Sequence, residues 1–130
     1  MEAFADGAVA VNSSGRVEAC GDWAELARRF PDYDTRDHRG SLLLPGFVDA
    51  HVHYPQLTVI GAMGMPLLRW LQERTLPEEA RYADVAIARE RAGAFLKALL
   101  RSGTTSSLVF GAHFHGAMDV FFEEAAGSGL

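Results

Sequence analysis

Short alternating runs of apolar and polar residues fill the first part of this chain, and helical spacing replaces them toward its end. Ala8 to Val11 and Arg16 to Cys20 are β-capable, and the turn-rich segment Asn12-Ser13-Ser14-Gly15 between them predicts a hairpin. Asp22 then opens a helix. Its carboxylate can cap the first turn while Glu25 reaches back, and Trp23, Leu26, Ala27 and Phe30 mark an apolar face ended by Pro31. A strand is expected from Ser41 to Leu44, halted by Pro45-Gly46. Phe47 to His53 alternates as a further strand, and Tyr54-Pro55 ends it because proline brings no amide to the ladder.

Roughly thirty residues follow without one continuous pattern, too long for an ordinary strand-to-helix link, with a short helical piece at PLLRWLQER. Long insertions of this kind are often functional. From Asp84 to Ser102 the apolar positions Val85, Ala88, Ala92, Phe95, Leu96, Leu99 and Leu100 fall at helical spacing, and Gly103 supplies the stop. Thr104 to Phe110 reads as the next strand and Met118 to Ala126 as a helix. Strand, crossover helix, strand, helix is the signature of a parallel β/α architecture, so the fold class is α/β.

Composition narrows the function classes. The 130 residues are 48% hydrophobic and 22% charged, the balance of a globular domain with one modest core. A net charge of −5 gives no electrostatic reason to expect nucleic acid or an anionic membrane as partner. Cys20 stands alone, so neither an internal disulfide nor a thiolate zinc site can form, and a reducing cytosol fits. The first residues lack a charged start followed by an apolar core, and no apolar run approaches a membrane span; cytoplasm is the expected compartment.

The candidate chemistry lies in PGFVDAHVHYPQ, residues 45–56. Side chains two apart on a strand point to the same side, so Asp49, His51 and His53 share one face. Strand rise puts the histidine Cα atoms about 6–7 Å apart, near enough for both rings to turn toward one ion at about 2.0–2.1 Å. A bare H-x-H is more often two polar residues on a wet strand face, and a catalytic zinc needs at least three protein ligands. The context is stronger than the pair: it ends a strand that opens a β/α series, the end at which closed barrels assemble their chemistry. Asp49 could orient a ligand ring or bond a neighbouring backbone group.

The run PGFVDAHVH resembles the first-strand signature of the amidohydrolase superfamily, metal-dependent hydrolases and deaminases built on a distorted barrel with a small β-sandwich. YPQ, then LLRWLQERTLPEEARYAD, and GTTSSLVFGAHF resemble the guanine deaminase branch, although a phenylalanine is common there where this chain has Leu76. The resemblance covers essentially all the residues, but only the opening portion of such an enzyme. It implies a partial β-sandwich segment over 1–44 and the first two β/α units of a TIM-like barrel over 45–130, with the barrel incomplete. It implies further that His51 and His53 bind zinc, one ion per active site, that His53 and Gln56 contact a purine, and that Leu68, Trp70 and Leu71 shape the pocket. Imidazole ligands suit zinc and also iron. The substrate implied is guanine, converted with water to xanthine and ammonia, and a homo-oligomer is implied for the complete enzyme.

No catalytic proton carrier is expected among these residues, because the family's further zinc histidines, glutamate and aspartate belong to later strands; the residues present are expected to be inactive alone. Two strands and two helices leave an edge and apolar faces uncovered. Alternatives stay open: another amidohydrolase acting on a heterocycle, of chlorohydrolase or aminohydrolase type, or a non-catalytic remnant that self-associates. Zinc deaminases of the H-x-E and P-C-x-x-C type are excluded by the single cysteine. A second pair, His113 and His115, has the same spacing; one is expected near the pocket rim and the other in solvent. Trp70 with Leu67, Leu68 and Leu71 could equally be core packing, Phe121 and Phe122 core or interface, and Cys20 a small apolar filler.

Overall fold

The computed structural model describes residues 3–130 and has a mixed α/β fold in two compact units that divide between Leu44 and Pro45. In the first unit, β1 (Gly7–Val11) and β2 (Val17–Asp22) form an antiparallel hairpin with an irregularity at Ala10/Val11. Asn12 makes the turn: its side-chain oxygen accepts from the backbone N–H groups of Ser14 (3.1 Å) and Arg16 (3.0 Å), and Gly15 takes the left-handed φ of 77°. The helix α1 (Trp23–Arg29) starts where Asp22 Oδ1 accepts from Ala24 N at 3.0 Å and buries Leu26. The strand expected over Ser41–Leu44 does not form. No strand pairs with it among the described residues, and Leu42, Leu43 and Leu44 are exposed. Cys20 is exposed as well, not the apolar filler expected.

The second unit carries the β/α pattern. Strand β3 (Phe47–His53) pairs in parallel with β4 (Thr104–Phe110). Parallel strands need a long crossover, and residues between them supply it. A 3-10 turn over Tyr54–Val59 leads to α2 (Leu67–Trp70), which passes through a π turn (Leu71–Thr75) into α3 (Leu76–Ala80), and then to α4 (Val85–Arg101). Asp84 caps α4 by accepting from Ala86 N at 2.8 Å, and Gly103 (φ 78°) turns the chain into β4. The last helix, α5 (His115–Ser128), begins three residues before the expected Met118.

The core lies on one side of the two strands. Ala88, Ala92, Phe95, Leu96 and Leu99 of α4 meet Ala117, Val120 and Phe121 of α5, with Tyr54 and Tyr82 fully buried between, and Val52 and Val109 pack against this cluster from the sheet. The alanines let the helices approach closely, and Arg89 ties them at the rim by donating to Glu123 (2.5 Å) and Glu124 (2.8 Å). Phe122 is exposed while Phe121 is buried.

The two buried tyrosines differ in their hydroxyls. Tyr54 donates to the Ala117 carbonyl at 3.3 Å, whereas the buried Tyr82 hydroxyl has no partner among the described residues. Tyr82→Phe should therefore be neutral or slightly stabilising, while Phe95→Ala should cost about 3–5 kcal/mol, both read by chemical denaturation. Burial pushes the Tyr54 phenol up from 10.0 to about 12. The folded state then holds that proton more tightly than the unfolded chain, so stability is intact below pH 10 and should fall as pH rises toward 12. Tyr54→Phe should lessen that alkaline decline and leave the part set by the buried Tyr82 phenol, which burial also pushes up.

Candidate functional site

Strand β3 ends with its two histidines turned toward each other. The Nε2 atoms of His51 and His53 are 3.1 Å apart, with ring centroids 5.2 Å apart. Beneath both lies Phe110, the last residue of β4, with centroid distances of 4.4 Å to His51 and 4.7 Å to His53, the latter stacked at 12°. Parallel register explains this floor, since His53 pairs with Phe110. Asp49 bonds the backbone rather than a ring: its Oδ1 accepts from His51 N at 3.0 Å.

The 3-10 turn that follows brings Gln56 back onto the pair. Its side-chain nitrogen lies 3.2 Å from His53 Nδ1 and donates to Glu79 Oε1 at 2.9 Å. If the same nitrogen donates to Nδ1, the His53 proton sits on Nε2, directed at His51. Glu79, on α3, also has Oε2 3.8 Å from His113 Nδ1; the Glu79 side chain is 12% exposed and that of His113 84%. His113 thus stands at the rim of the cluster, and His115 is exposed at the first residue of α5. Trp70 and Leu71 are half-buried on the helix–π junction, without a hydrogen bond to the cluster, while Leu67 and Leu68 are exposed rather than core.

The convergent nitrogens are spaced as two ligands of one ion would be. An ion about 2.0–2.1 Å from each would see them at an angle of roughly 100°, between octahedral and tetrahedral values. Among the described residues no group of three or more His, Cys, Asp or Glu side chains is gathered to hold a metal ion. The residues present fit a shared ion as two of its ligands. Among the described residues no helix is long and apolar enough to cross a membrane.

Sequence reasoning did not single out Glu79 or the role of Phe110. Parallel pairing of the two expected strands could have pointed to Phe110; no spacing rule connects Glu79 with Gln56.

Gly46 shows what the Pro-Gly before the strand does. A Cβ there would lie 2.7 Å from Thr105 Cβ and 2.5 Å from its Cγ2, too close for rotation of that short side chain to relieve. Only glycine lets the backbone enter β3 at this distance from β4. Gly46→Ala should destabilise the protein by about 1–3 kcal/mol, and Thr105→Ala or Thr105→Gly in the same chain should recover part of the loss, as read by thermal denaturation.

The sequence pattern of the amidohydrolase family matches residues 42–129. A probable guanine deaminase of Deinococcus radiodurans is 54% identical over 134 aligned positions, covering 100% of this chain and 30% of that protein. The solved structure of Escherichia coli guanine deaminase superposes with a TM-score of 0.84 at 45% identity, covering 93% of this chain and 28% of that one. Guanine deaminase from Bradyrhizobium japonicum gives a TM-score of 0.88 at 38% identity, over 95% of this chain and 26% of the other. The chain therefore spans less than a third of the length of these relatives.

Proposed function

This chain belongs to the amidohydrolase family, and from that membership we propose that it forms the metal-binding opening portion of a guanine deaminase, carrying the first β/α units of a barrel. The observation that supports this best is the convergence of His51 and His53 at 3.1 Å with Gln56 joined to His53. A strand, its end and the turn after it thereby place two nitrogen ligands and one amide in a single cluster. The probable guanine deaminase of D. radiodurans and the guanine deaminase of E. coli supply the substrate class.

On this reading His51 and His53 hold a zinc ion through Nε2, and the remaining ligands come from residues outside this chain. An ion held by these residues would make hydroxide available near neutral pH, since metal coordination lowers the pKa of water far below its bulk value, toward about 7. Phe110 keeps the two rings from turning away, and Asp49 fixes the backbone of His51. Gln56 binds and orients the purine through its amide, which carries both an acceptor and donors. Trp70 and Leu71 shape the apolar wall of the pocket. The reaction is guanine plus water to xanthine plus ammonia, and the group that carries the proton to ammonia lies outside these residues.

The test is zinc and guanine together. The uninterrupted natural polypeptide carrying these residues should bind zinc and convert guanine to xanthine. His51→Ala and His53→Ala should each weaken zinc by more than the roughly 10–100-fold cost of losing a supporting partner, measured by competition with a chelating dye. Zinc binding unaffected by either substitution would refute the assignment of the ligands. A zinc-loaded polypeptide that leaves guanine intact but hydrolyses another heterocycle would move the protein to a different branch of the family.

A further inference from the structure

Two adjacent acids on α3 have different fates. Glu78 is engaged with structural partners, accepting from Thr58 at 2.7 Å and from Arg81 at 2.9 Å. Glu79 is turned to the other side, where the Gln56 amide donates to it at 2.9 Å, the exposed His113 Nδ1 lies beyond hydrogen-bond distance at 3.8 Å, and no backbone or arginine N–H among the described residues reaches it. Placing a carboxylate at 12% exposure with so few donors is costly unless the bond it makes matters.

Metal chemistry makes that bond more important. When His53 ligates through Nε2, its ring proton moves to Nδ1, which then no longer accepts from Gln56. The hydrogen bond to His53 is lost, and Glu79 remains as the partner of the amide nitrogen.

We propose that Glu79 is a positioning residue for Gln56: its carboxylate anchors the amide nitrogen, leaving the second N–H and Oε1 as a donor–acceptor pair for the ligand. Such a pair is complementary to the adjacent C=O and N–H of a cyclic amide, a lactam edge that guanine carries and adenine lacks. The identity of the ligand rests on the guanine deaminase reading; the hydrogen bond does not.

Two measurements separate these claims. Gln56 and Gln72 are the only glutamines and Asn12 the only asparagine, so side-chain amide resonances of the 15N-labelled chain are easily assigned. With and without zinc, the Gln56 pair should be displaced from the solvated Gln72 pair. Glu79→Ala should collapse that displacement while the backbone spectrum away from α3 is retained, and Glu79→Gln, whose amide oxygen still accepts, should preserve much of it. A Gln56 pair indifferent to Glu79→Ala overturns the proposal. In the polypeptide that turns over guanine, Glu79→Ala should raise KM about tenfold with a smaller change in kcat, and adding Gln56→Ala should cause little further loss. Additive losses would also overturn it. If guanine is not a substrate but the Gln56 amide answers to Glu79, the substrate reading fails and the anchoring is upheld.

Discussion

Parallel pairing of β3 with β4 is the constraint on which the rest of the second unit depends. It forces the chain to leave His53, travel through the whole crossover and return at Thr104, with α4 packed on one face of the two strands while Gln56 and Glu79 come back to the histidines on the other. The same register sets Phe110 under the imidazoles. Strand alternation then separates two environments: Val52 and Val109 face the helical core, while His51, His53 and Phe110 share the opposite face. Core and chemistry are two sides of one ribbon, and the close approach at Gly46 holds that ribbon together at its start.

The crossover does more than connect. Its first turn returns Gln56 to the strand it has just left, and its α3 segment delivers Glu79 to the same place from twenty-three positions further on. Gln56 touches the sheet through His53 and Glu79 meets it only through Gln56, so their meeting depends on the packing of the 3-10 turn against α3. That packing rests on Tyr54 and Tyr82, buried beside α4. Polar organisation above the strands is thus linked to the hydrophobic cluster below through the tyrosine that immediately follows His53.

Legibility from the sequence followed the range of the physical signal. Period-two alternation at Phe47–His53 and the long helical repeat at Val85–Arg101 are local patterns, and both elements form where that pattern lies. So does the face shared by the two histidines, which needs only pleat geometry. Ser41–Leu44 misled because β-propensity says nothing of a partner, and three leucines without one stay exposed. The start of α5 was set late since His115-Gly116-Ala117 lacks an obvious capping side chain. Glu79 was illegible for a different reason: a contact formed across a turn, two short helices and a π turn leaves no periodic trace in the residues between.

The π turn at Leu71–Thr75 holds one more residue than an α-helical course would need, the kind of wide turn found at functional positions. An α-helix advances about 100° per residue, so erasing that surplus would swing all of α3 around its axis by more than a quarter of a circle. Glu79 would turn to the side that Glu78 now faces, Ala80 would stand where Glu79 reaches the amide, and the bond to Gln56 would be lost. A lineage could gain or lose that brace by a single-codon insertion or deletion without altering any residue that touches the ligand.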